Sequence, residues 1–227
     1  MKLTSWVSRV TLGCMAASLL ALLAGCAALA PKHRILIDSI TSAGAAKPSG
    51  QSYRLLLVER GGAGTRYAMA KHLVEACVNS ALGTVGMFEA PANAAPDVFI
   101  TATYGVDGAA RSDPHGREAF LQLSGRANPD GALAVTKTAP EIWDVRAGFM
   151  SGTTNPVGAM PMLAATAVNY IATDTKVETR VEVAQNAPNV QQIREAAIKR
   201  IEAAGNVPAP GATTAGAPPA AAEAPRK

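Results

Sequence analysis

Apolar residues recur at two different spacings along this chain, and the spacings separate strands from helices. Ile35, Leu36, Ile37 and Ile40 predict a short strand over 34–40. Tyr53-Arg54-Leu55-Leu56-Leu57-Val58-Glu59 reads as a buried strand. Over 97–104, Val98, Ile100, Ala102 and Tyr104 share one face, with Phe99, Thr101 and Thr103 on the other. Further strands are predicted over 119–124 and 141–149, a short edge strand over 84–89, and a weak strand over 132–136. Val177, Thr179, Val181 and Val183 alternate with Glu178, Arg180 and Glu182, the cleanest half-buried pattern in the chain.

Three stretches carry helical periodicity. Thr65 can cap a helix that runs to about Leu82, with Met69, Leu73, Ala76 and Cys77 on one stripe and Gly83 as its stop. Residues 157–171 are apolar on nearly every side, so that helix must be buried. Asn189 starts a last helix, with Val190, Ile193, Ala197 and Ile201 on one stripe and Gly205 ending it. The expected fold is one α+β domain over 53–204, a mainly antiparallel sheet with about three helices packed on one face. Residues 42–52 are rich in Ala, Gly, Pro and Ser, so 26–52 reads as a linker. The 205–227 tail is Pro, Ala, Gly and Thr rich without a stripe; it cannot offset its ordering entropy and is expected to be disordered.

Composition narrows the class. At 48% hydrophobic and 17% charged, the 227 residues exclude a wholly disordered chain. Only 4% are aromatic, so the core is expected to rest on Ala, Val, Leu and Ile, with Trp143 as its chief aromatic. The formal charge is +4, and loss of Lys2 and Arg9 with residues 1–25 would bring it to +2. A chain that close to neutral, with no Lys/Arg run, gives no ground for a nucleic-acid partner.

The first 25 residues have the layout of an export signal. Lys2 and Arg9 form a positive head, the stretch from Val10 to Leu23 is uncharged, and the first acid of the chain is Asp38. The run ends in Leu23-Ala24-Gly25-Cys26. That sequence resembles the lipobox of bacterial lipoproteins. The resemblance implies cleavage after Gly25, a diacylglycerol thioether on Cys26, and acylation of the new amine. The thiol is needed because sulfur is the nucleophile that takes the lipid, and small residues let the extended backbone enter the peptidase groove. One acyl chain anchors only marginally, at about 0.8 kcal/mol per buried methylene; two or three hold a protein durably. Ala27 after the cysteine, rather than Asp, resembles the default signal for transfer to the outer membrane. Two alternatives stand beside this reading: an uncleaved anchor over Val10–Ala30, and an ordinary cleaved signal with an incidental cysteine.

Cys14 lies within the signal and Cys26 is assigned to lipid, so Cys77 remains alone and the mature chain has no internal disulfide. Cys77 sits in an apolar helical pattern and is expected in the core. Candidate chemistry elsewhere is thin. Gly61-Gly62-Ala63-Gly64-Thr65 lies between a strand and a helix, the context of a phosphate cradle. Tyr67 occupies the position of the third Rossmann glycine, no acid follows at the right distance, and no Gly-Lys-Ser/Thr is present, so a tight turn is expected instead. His33, His72 and His115 are far apart, and Asp113-Pro114-His115 reads as a turn. No Gly-x-Ser-x-Gly exists; Ser124-Gly125 and Ser151-Gly152 read as turns. Strand alternation places Glu141 and Asp144 on opposite faces, against an acid/base pair. No catalytic residue, cofactor site or metal site is assigned.

Several segments together resemble an uncharacterised group of bacterial envelope lipoproteins with a single α+β domain. They are Ser52-Tyr53-Arg54-Leu55, Pro96-Asp97-Val98-Phe99-Ile100, Ile142-Trp143-Asp144-Val145, and Met160-Pro161-Met162-Leu163 through Tyr170-Ile171 with Asp174-Thr175. The resemblance brings no catalytic residues with it. The expectation is a lipid-anchored, non-catalytic protein of the outer membrane, facing the periplasm and held by acylated Cys26. Its partner would be an envelope protein or peptidoglycan. A small-ligand or lipid-binding module, with a cleft between helix 157–171 and the sheet, is the second reading, and an enzyme the third. Extended as polyproline, the 22 residues after Gly205 would reach roughly 70 Å.

Overall fold

The computed structural model describes residues 31–43, 45, 48–60, 71–107, 117–136, 138–151 and 156–205. Seven strands form one sheet: β1 (Lys32–Thr41), β2 (Ser52–Arg60), β3 (Phe88–Glu89), β4 (Val98–Asp107), β5 (Arg117–Ala127), β6 (Glu141–Ser151) and β7 (Thr179–Ala184). Their order across the sheet is β3-β2-β4-β5-β6-β1-β7. Pairings are antiparallel except β2 with β3 and with β4. Three helices complete the described fold: α1 (Lys71–Thr84), α2 (Pro156–Val168) and α3 (Pro188–Gly205). The expected α+β class and the mainly antiparallel sheet are present.

Pleating sorts the strand residues onto two faces. Ile35 and Ile37, Tyr53, Val98 to Tyr104 in alternation, Leu121 and Leu123, and Trp143 to Phe149 in alternation join the helices in one core. Trp143 is the largest of the fully buried side chains, at 2% exposure. Met160, Leu163, Ala164 and Ala167 of α2 have no exposed surface, as its apolar character on nearly every side requires. The segment 26–52, read as a linker, contains β1, a strand paired on both sides. Ile37 lies opposite Ala147 of β6 and opposite Thr179 of β7. Ser39 adds a second tie, because its hydroxyl donates to the carbonyls of Tyr170 (3.0 Å) and Thr173 (2.7 Å). The Pro/Gly/Ser stretch after β1 made the strand look detached; its partners lie more than a hundred residues away.

Local differences have local causes. Helix α1 runs through Gly83 to Thr84, and its stop is Gly86, which has φ of 82°. Met87 N donates to Leu82 O (3.1 Å) and Gly86 N to Gly83 O (3.1 Å), the paired bonds of a Schellman cap. The expected 84–89 strand therefore shrinks to Phe88–Glu89. Residues 132–136 are not a strand. Asn128 closes that stretch as a loop: its amide nitrogen donates to Ala132 O (2.9 Å), and its amide oxygen accepts from Ala132 N (2.9 Å). Arg54 holds the loop to its neighbour, donating to the carbonyls of Leu133, Pro91 (3.0 Å), Ala92 (3.2 Å) and Ala94 (2.8 Å). Helix α3 begins at Pro188, one residue before the expected Asn189, in keeping with the preference of proline for a first helical position. Val177 is excluded from β7 and 70% exposed.

Candidate functional site

The sheet face away from the core carries a row of polar side chains across β5 and β6. Alternation along β5 puts Glu118, Phe120, Gln122, Ser124 and Arg126 on this face. Glu118 pairs with Arg146 (3.4 Å), and the Arg146 guanidinium stacks over Phe120, 4.3 Å from the ring centroid. Gln122 donates through its amide nitrogen to both carboxylate oxygens of Asp144 (3.0 and 2.9 Å). Ser124 donates to Glu141 (3.0 Å), which also lies 3.7 Å from Arg126.

Glu141 and Asp144 therefore share one face, contrary to the alternation argument. The register explains it. Gly125 lies opposite Trp143 and Arg126 opposite Glu141, so Ile142 is the extra residue of a bulge. One inserted residue reverses the side of every position before it. Ser124 and Gly125 lie inside β5, not in a turn. Asp144 has its carboxyl raised above the ordinary range, chiefly by burial, while the Gln122 hydrogen bonds oppose the shift; Glu141 and Asp38 raise it further and Arg146 lowers it. A shallow depression of about 420 Å³ lies beside this acid, lined by Ile40, Thr41, Gln122, Glu141, Ile142 and Asp144 among others. Ile40 on its rim is 64% exposed.

The other residues singled out from sequence are dispersed. Gly25, Cys26, the stretch 61–65, Asp113, His115 and the 206–227 tail lie outside the described residues. His33 packs edge-on against Phe149, with ring centroids 5.1 Å apart. Cys77 has no exposed surface, and burial pushes its thiol up to about 12, so it is not a thiolate at neutral pH. Among the described residues no three His, Cys, Asp or Glu side chains are grouped to hold a metal. No described helix is long and apolar enough to cross a membrane.

A site not singled out from sequence lies between α1 and α3. His72, Glu75, Ala76 and Asn79 form one wall of a trough of about 420 Å³, and Arg200, Ile201 and Ala204 the other, with Glu89 at its edge. Beneath it the Tyr53 hydroxyl donates to the Asn79 amide oxygen (3.0 Å). Burial pushes the Tyr53 phenol up to about 12, with Glu89 adding to the rise and Arg200 opposing it. The stripes of both helices were legible in sequence, but the packing of the last turn of α3 beside α1 was not.

No family model and no curated relative matches the sequence. Among solved structures, the PelC dodecamer from Paraburkholderia phytofirmans superposes with a TM-score of 0.39 at 10% identity, over 62% of this chain and 99% of that one. A PDZ domain protein from Parabacteroides distasonis gives 0.43 at 9% identity, over 68% of this chain and 40% of that one. Scores this low assign no function.

Proposed function

We propose that this chain is a bacterial envelope lipoprotein. Acylated Cys26 anchors it to the outer membrane, and its α+β domain faces the periplasm as a binding element rather than a catalyst. The observation that carries the reading is Leu23-Ala24-Gly25-Cys26 at the end of an uncharged run behind Lys2 and Arg9. In this reading the acyl chains supply the hold on the bilayer, and no described helix is long and apolar enough to cross it. The partner is a second envelope component, a protein or peptidoglycan. Support for a non-catalytic role comes from the pairing of the open-face carboxylates: Asp144 is engaged by Gln122, Glu118 by Arg146, and Glu141 by Ser124 and Arg126.

The test is expression of the full chain in a bacterium fed an alkyne-tagged fatty acid, followed by intact-mass analysis. The expected product begins at Cys26, carries acyl mass and loses its label in the Cys26→Ser variant. A free thiol at Cys26, or a chain that still begins at Met1, overturns the anchor. Crosslinking in cells then identifies the partner.

A further inference from the structure

We propose that the trough between α1 and α3 binds a small zwitterion with an apolar body, of amino-acid or dipeptide size. Its volume of about 420 Å³ falls within the range of small-molecule sites. Three kinds of group converge there. Ala76, Ile201 and Ala204 give an apolar surface. Glu75 and Glu89 supply acceptors for an ammonium. Arg200 and the amide nitrogen of Asn79 supply donors for a carboxylate.

Asn79 is the informative residue. It is only 4% exposed, and its amide oxygen is committed to the Tyr53 hydroxyl at 3.0 Å. Its amide nitrogen has no hydrogen-bond partner among the described residues and is not sealed in the interior, so it opens onto the trough. Open to the trough and without a protein partner, this donor is available to a ligand acceptor. Arg200 and Glu89 line the same trough and lie within reach of each other. Their own ion pair is long, at 3.6 Å, with both side chains about half exposed, so it is readily exchanged for ligand contacts.

The charge pattern selects the ligand class. A simple anion would meet Glu75 and Glu89. A simple cation would leave Arg200 and the Asn79 donor unused. A molecule carrying both charges on an apolar body meets Glu75 and Glu89, Arg200 and Asn79, and the apolar surface of Ala76, Ile201 and Ala204 together. This inference does not depend on the lipid anchor.

The experiment is calorimetric titration of the full chain, in detergent, with leucine and with alanyl-leucine. Leucinamide, which lacks the carboxylate, and N-acetylleucine, which lacks the ammonium, serve as controls. Leucine or the dipeptide is expected to bind, with both controls weaker by about tenfold or more. The tighter of the two zwitterions shows whether a free amino acid or a peptide is the ligand. Arg200→Gln is expected to weaken zwitterion binding about tenfold while leaving leucinamide unchanged, and Glu75→Gln to do so while leaving N-acetylleucine unchanged. Both substituted side chains are solvent-exposed, so the variants keep the fold. Absence of binding by both zwitterions up to about 10 mM, controls that match leucine, or an Arg200→Gln variant with unaltered affinity would each overturn the proposal.

Discussion

The indole of Trp143 on β6 covers Gly125, its register partner on β5, so closely that a methyl group at position 125 would overlap the ring. The glycine is required by this approach, which seats the largest side chain of the core beside the bulge at Ile142. Gly125→Ala is expected to cost about 1–3 kcal/mol through overpacking. Urea unfolding would show a lower midpoint at unchanged slope, and Trp143 emission would shift to the red.

Tyr53 should titrate late and matter for stability. Burial pushes its phenol up to about 12 and also raises Tyr104, so absorbance at alkaline pH should show these two ionising after an exposed tyrosine, and Tyr53→Phe should remove one late step. Tyr53→Phe removes the donor that satisfies the buried Asn79 oxygen. The expected loss is about 1–3 kcal/mol, measured by chemical denaturation.

Two aspartates give opposite pH dependences. Asp97 accepts from Ser52 N (2.8 Å) and Ser52 Oγ (2.7 Å), which lowers its pKa below the ordinary 3.8. Its contribution is therefore present above 3.8 and lost as pH falls through the lowered value. Asp144 is raised, chiefly by burial, so its contribution is greatest at low pH and declines as pH rises from 3.8 through the raised value. Unfolding midpoints between about pH 3 and 7 should fall more at the acid end in the parent than in Ser52→Ala. Asp144→Asn should gain stability relative to the parent as pH rises across that window.

Cys77 should resist alkylation in the native chain. With no exposed surface and a thiol at about 12, it reacts only when the core opens. Peptide mapping after iodoacetamide treatment should find Cys77 unmodified in buffer and modified in denaturant. Native modification would show that α1 is not packed as described.

The strands of the core were legible because each carries its own alternation, as in Val98 to Tyr104. Their order was not, because β1 finds its partners in β6 and β7, a relation that no local pattern encodes. The open-face row was hidden for a different reason. Period two is a rule for regular strands, and Ile142 breaks it just where Glu141 and Asp144 would have been compared. Gly83 and Gly86 compete for the end of α1, and the hydrogen bonds to Leu82 and Gly83 decide for the second. The trough between α1 and α3 needed the packing of two helices separated by a hundred residues of sequence.

The placement of β1 bears on how the proposed anchor would hold the molecule. Five residues, 27–31, separate Cys26 from Lys32, a span of at most roughly 20 Å when taut. With the proposed anchor, so short a leash holds the body against the leaflet by one pole. That pole is the sheet end at Lys32, where Asp107 of β4, Arg117 of β5 and Ser151 of β6 also lie. Tyr53 and Glu89 pair at the opposite pole, which with that anchor would point away from the leaflet.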